Sequence, residues 1–157
     1  MLAAELAALF TRDITRVRQQ IDAFPNDASL WVAGPGVSNA AGTLALHLEG
    51  NLREYIGRQI GGIAYVRDRP AEFSTRGLPK AELLARLDAV ATSIPGIVGR
   101  LSDADLRAAY PEAVLDRPWS QGQFLVHLIG HLSYHLGQID YLRRLTTGAG
   151  AIPLAGL

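Results

Sequence analysis

Histidine is sparse in this chain and unevenly placed. Of its four, three stand at His127, His131 and His135, and the fourth, His47, lies far upstream in another apolar segment. A four-residue interval puts the three on one side of an α-helix, on successive turns, with Cβ atoms about 5–6 Å apart. Neutral imidazole is a common ligand for zinc, nickel, copper and iron. Two ligands at i and i+4 on one helix can reach one ion, and a third must come from elsewhere; His47 is the remaining histidine. A set of three histidines leaves coordination positions open, as catalytic zinc sites do, whereas structural zinc sites are normally closed by four protein ligands. The bland alternative is a group of core and surface histidines satisfied by ordinary hydrogen bonds.

Angular position ranks the three. At 100° per residue, His135 is central in the apolar face made by Phe124, Leu125, Leu128, Leu132, Ile139 and Leu142. His131 falls about 40° from that centre and His127 about 80°, at the edge. The seam Phe124, Leu128, His131, His135, Gln138, Leu142, Leu145 advances by alternating steps of four and three, so His131 and His135 occupy places where leucine is expected. The candidate metal set is therefore His47, His131 and His135. His127, Gln138 and Asn51 are placed to support those ligands through hydrogen bonds. Glu54, seven residues after His47, is a candidate fourth ligand or general base, with a surface ion pair as its plainer role. The run Arg67-Asp-Arg69 reads as an ion-paired loop closing over the end of the molecule.

Four elements must position these side chains. Residues 2–24 form an amphipathic helix, with Leu2, Leu6, Phe10, Ile14, Val17, Ile21 and Phe24 inward and Arg12, Arg16, Arg18 and Gln19 outward. Ser38 or Asn39 caps a second helix running to about Gly61, with His47 at the margin of its apolar face. The segment from Gly61 to Leu78 is loop-like. Pro79 opens a third helix over 79–101, in which Pro95 predicts a kink or break near Ser93–Ile94. Ser102 begins one short helical turn, and 110–118 is loop. Ser120 with Gln123 makes a capping box for the last helix, which runs to about Leu145 and stops before Gly148. The apolar tail 149–157 packs against the helices or a second subunit. Four helices with no strand pattern predict an all-α four-helix bundle in which facing helices build the site, residues 1–157 forming a single domain.

Composition narrows the functions. Fifteen basic residues balance fifteen acidic ones, which gives no global electrostatic case for nucleic acid or an anionic membrane and leaves only a local patch. With no cysteine, a thiolate ligand, disulfide, Fe–S cluster or cysteine nucleophile is excluded, and thiol chemistry needs a thiol brought in by a substrate or cofactor. The N-terminal run lacks a basic region and carries Glu5, so it does not read as a signal peptide, and the expected location is cytoplasmic.

The residues that carry a resemblance are Leu46-His47-Leu48 in the second helix and His131-x-x-x-His135-Leu-Gly137-Gln138 in the fourth. With the run His47-Leu-Glu-Gly-Asn-Leu-Arg53 and the later Arg67-Asp-Arg-Pro-Ala-Glu-Phe73, the chain resembles the DinB-like superfamily, in a subgroup without assigned function. The resemblance implies an up-down-down-up bundle with long crossover loops and a divalent metal, zinc or nickel, on His47, His131 and His135. It also implies a homodimer and, by class, a transferase using a low-molecular-weight thiol whose thiolate the metal favours. A metal-dependent hydrolase with Glu54 as base, a non-catalytic metal-binding or stress-related bundle, and a plain structural module are the alternatives.

Overall fold

A computed structural model describes residues 2–114 and 116–153. Helix α1 spans Leu2–Asp22, a 3₁₀ turn Ala28–Trp31, α2 Ala41–Leu52, α3 Arg69–Ser74, α4 Lys80–Gly99, α5 Asp103–Arg107 and α6 Gln121–Thr147. The described residues contain no strand; two isolated bridges, Ala109 with Ser120 and Val114 with Arg117, pin the loop ahead of α6. No described helix is long and apolar enough to cross a membrane.

Pairwise contacts fix the helix directions. On α1, Arg18 meets Asp88 of α4 at 2.6 Å, while Ala7 lies against Gly99, so these helices are antiparallel. Asp13 meets Ser133 and Gln20 meets Arg143, so α1 and α6 are parallel. His47 faces His131 and His135 while Tyr55 faces Phe124, which makes α2 antiparallel to α6. Glu49 lies by Arg86 and Gly61 by Ile97, which makes α2 parallel to α4. The bundle is up-down-down-up, as expected. Parallel α2 and α4 oblige the chain between them to return along the bundle, and this crossover lays α3 against α2.

Every residue of α2 is buried, as suits a helix apolar nearly all round. Leu44, Leu48, Leu52 and Ile56 lie in the core, each contributing about 1.5–3 kcal/mol by burial. The expected cap from Ser38 or Asn39 is absent. Ala40 is the N-cap, without a side-chain bond, and the helix start is instead seated under the Trp31 ring. A Cβ at Gly42 would stand 2.9 Å from that ring, and the Trp31 indole donates to the Leu78 carbonyl at 3.1 Å.

Four other expectations are corrected. After Leu52 the helix widens to a π-helical turn, Arg53–Arg58, where Tyr110 donates its hydroxyl to the Tyr55 carbonyl at 2.7 Å; a side chain bonding into the backbone ladder favours such a departure. The loop-like segment holds α3, started by the Asp68 side chain accepting from Ala71 N and by Pro70 in the first turn. Helix α4 does not break at Pro95. The missing N–H falls near the helix end, and burial of Ile94, Ile97 and Val98 holds the last turn in place. Finally, Arg16 is not outward but buried, together with Asp13 and Gln20.

The last helix is capped as read: Ser120 and Gln123 form the reciprocal capping box, and Gly148 takes the left-handed conformation, φ 69°, at the end. Of the tail, Gly150 accepts from Arg143 at 2.8 Å; residues 154–157 of the expected packing segment lie outside the described residues.

Candidate metal centre

Helix α2 brings His47, and α6 brings His131 and His135, to one point inside the bundle. Their ligand atoms lie within 4.8 Å of one another, and among the described residues this is a group able to hold a metal ion. His47 Nε2 and His135 Nε2 each stand 3.1 Å from His131 Nε2. Two nitrogens bound about 2.0–2.1 Å from one tetrahedral ion would lie roughly 3.3 Å apart, close to this spacing.

Hydrogen bonds on the far side of two of the rings assign their tautomers. His47 Nδ1 lies 2.9 Å from Glu72 Oε2 and His135 Nδ1 lies 2.6 Å from Gln138 Oε1. Both partners are acceptors, so both Nδ1 atoms carry the proton and both Nε2 atoms present a lone pair. A proton on His131 Nε2 could satisfy only one of these two acceptors. Placed on Nδ1, which is buried without a protein partner, it leaves three lone pairs aimed at one point. That arrangement is repulsive by itself and complementary to a cation.

The electrostatics favour the neutral form of His131 and His135. Burial, reinforced by the neighbouring His135 and His47, pushes His131 down to about 3. Burial also lowers His135, against the opposing hydrogen bond to Gln138. The His131 lone pair thus stays available well below neutral pH.

Glu72 was missed as a site residue, whereas Arg67, read as part of an ion-paired loop, makes its ion pair with Glu72. The crossover carries both onto α2, where Arg67 bonds both Glu72 oxygens, at 2.6 and 2.9 Å, and Phe73 packs its ring 4.9 Å from that of His47. Burial works to raise the Glu72 pKa, but hydrogen bonds from His47 and Arg67 and the Arg67 charge outweigh it, and the carboxyl titrates below its ordinary range. One signal was available in sequence. Gly50 sits mid-helix, where glycine costs about 1 kcal/mol relative to alanine, and a Cβ there would collide with the Glu72 carboxylate.

The other sequence candidates divide. Gln138 touches His135, as an acceptor through Oε1. Asn51 is buried one turn after His47, with its Oδ1 lacking a protein partner, and it bonds none of the three. His127 stays outside: its ring stacks on Phe124 at 5.8 Å and lies 5.2 Å from Trp119, bordering a separate cavity with Leu106 and Val126. Glu54 is paired with Arg58, whose hydrogen bond, against the opposing effect of burial, lowers its pKa. It is a weak base and joins no metal-binding group among the described residues. A cleft of about 520 Å³ opens on His135 and Gln138, bounded by Leu44, Tyr134, Tyr141 and Leu142 and without a charged side chain in its lining.

A family model described as mycothiol-S-transferase matches residues 5–148. Among solved structures, the chain is similar to a DinB-like protein from Bacillus cereus ATCC 10987, with a TM-score of 0.72, 19% sequence identity and 94% of each chain covered. At that identity the likeness speaks for the fold. No curated protein matches the chain.

Proposed function

Because this chain belongs to the mycothiol-S-transferase family, we propose that it is a metal-dependent transferase in which His47, His131 and His135 hold a divalent ion that receives a low-molecular-weight thiol. The observation that carries this reading is the convergence of three imidazole Nε2 atoms, among which a His131 proton could satisfy at most one lone pair. An all-histidine donor set suits zinc or nickel. When bound, the ion supplies charge that favours thiolate over thiol at neutral pH.

The chain's own residues do the rest. Glu72 and Gln138 hold the His47 and His135 rings with Nε2 inward. The uncharged cleft beside His135 admits the reacting partners and limits water, and Leu44 and Leu142 give it an apolar wall. Transfer joins the thiol sulfur to an electrophilic carbon as that carbon's bond to its leaving group breaks; the leaving group departs with the bonding pair and the thiol proton passes to solvent. The chain supplies no cysteine of its own, consistent with a thiol that arrives as substrate. Val126, Tyr134, Tyr141 and Leu145, exposed on α6, offer a face for the homodimer that accompanies this reading, and a reducing cytoplasm suits it.

Titrating cobalt-substituted protein with mycothiol tests the proposal. A shift of the visible absorption bands that saturates with thiol, and does not appear with the corresponding disulfide, is expected. An unchanged spectrum at saturating thiol contradicts it.

A further inference from the structure

The three histidines are not supported alike. Gln138, a neutral amide, comes from the same helix as His135, three residues on. Glu72 is a carboxylate, comes from a different element, and is itself clamped. Arg67 bonds both of its oxygens, and the pair is nearly closed to solvent, with side chains 11% and 6% exposed. The Arg67 guanidinium in turn lies 5.4 Å from the centre of the Tyr55 ring, on the π-helical turn that follows α2. Burial of such an ion pair is costly unless geometry and hydrogen bonding are good, and here the second acceptor contact is spent on His47.

We propose that Glu72 is the positioning residue of the metal centre: held by Arg67 in the crossover, it fixes the His47 tautomer and ring orientation, and so links metal affinity to seating of the crossover on α2. A histidine ligand whose far nitrogen donates to a carboxylate is oriented and made a stronger donor. His47 is the ligand that most needs this, because it alone comes from α2, while His131 and His135 are already registered by one helix. Gly50 belongs to the same device, since only a residue without Cβ lets the Glu72 carboxylate lie against α2. The linkage is reciprocal: an ion that binds the oriented His47 favours the seated crossover, and a displaced crossover weakens the ion.

This inference rests on the histidine set being a metal site, and its test separates the two. Zinc affinity is measured by competition with a chromogenic chelator on tag-free protein, and backbone hydrogen exchange is followed over the crossover with and without zinc. Glu72→Ala is expected to weaken zinc about 10–100-fold, and Glu72→Gln, which retains an acceptor, to weaken it less. Gly50→Ala, which removes no polar group, is expected to weaken zinc as well, because the new Cβ displaces the carboxylate. Arg69→Ala removes an exposed charge of the same segment and is expected to stay within about twofold of wild type. Zinc should slow exchange in the crossover of the wild type and fail to do so in Glu72→Ala. The proposal is overturned if Glu72→Ala and Gly50→Ala bind zinc like the wild type while His131→Ala does not, or if Arg69→Ala weakens zinc as much as Glu72→Ala. Absence of zinc binding by the wild type would instead remove the metal site itself.

Discussion

Helix α6 carries two buried polar clusters on two sides, and they are opposite in kind. Toward α1, Asp13 accepts from Arg12 at 2.7 Å and from Ser133 at 2.7 Å, with Arg16 at 3.4 Å, and Arg143 donates to Gln20 and to Gly150. Charge meets charge and donor meets acceptor, with a surplus of donors, since Arg16 Nε and Nη2 have no protein partner. Toward α2, three imidazoles meet with more lone pairs than the single proton His131 could place between them can satisfy. A buried cluster of opposite charges fastens two helices together; one with a surplus of acceptors is prepared for a cation. Burial alone therefore does not mark a site. The sign of the mismatch does.

Mutations should separate the clusters by what they cost. His131→Ala removes the central ligand and is expected to weaken zinc by about 100-fold or more, while metal-free stability changes by less than about 1 kcal/mol, because a repulsive convergence is relieved. Asp13→Ala should do the reverse: about 3 kcal/mol of destabilisation, from leaving buried arginine uncompensated, with zinc affinity unchanged. Chemical denaturation and chelator competition on both variants check the pair. Equal losses of stability from the two would erase the contrast.

The pH dependence of stability belongs to the α1 seam. Burial works to raise the Asp13 pKa, yet the hydrogen bonds from Arg12 and Ser133 and the arginine charges prevail and hold it below the ordinary 3.8. A group with a depressed folded pKa gives stability that is fully present above its unfolded value and is lost as pH falls through the folded one. The stability difference between wild type and Asp13→Asn should hold from neutral pH to about 4 and shrink below that, as measured by urea unfolding at a series of pH values. A difference that grows on acidification would contradict the pairing. Smaller effects follow. Gln138→Ala should weaken zinc less than Glu72→Ala, about tenfold at most. Glu54→Ala should leave zinc untouched and cost under about 1 kcal/mol, since Arg58 is well exposed and its pairing is screened.

Periodicity explains what was legible. His131 and His135 stand out because a strict four-three seam leaves two polar residues in leucine positions, and a local pattern of that kind survives folding. The capping box at Ser120 and the Gly148 stop are equally local. The polar seam on α1 was illegible for a matching reason. Arg16 and Gln20 sit among polar residues of an amphipathic helix, and only the approach of α6, with Ser133 and Arg143 on its far side, buries them. Glu72 reaches His47 through the crossover, across 25 residues of sequence, so no local spacing announces it; Gly50 was the trace it left. The π-helical turn depends on Tyr110, also remote. Contacts made by elements that must return along the bundle are the ones that one-dimensional pattern does not hold.

The central claim is that His47, His131 and His135 form a metal site. The most direct measurement is metal content by elemental analysis of protein purified without a metal-affinity tag, beside His131→Ala prepared in parallel. About one divalent ion per chain is expected in the wild type and little in the variant. Substoichiometric metal that is the same in both would contradict it.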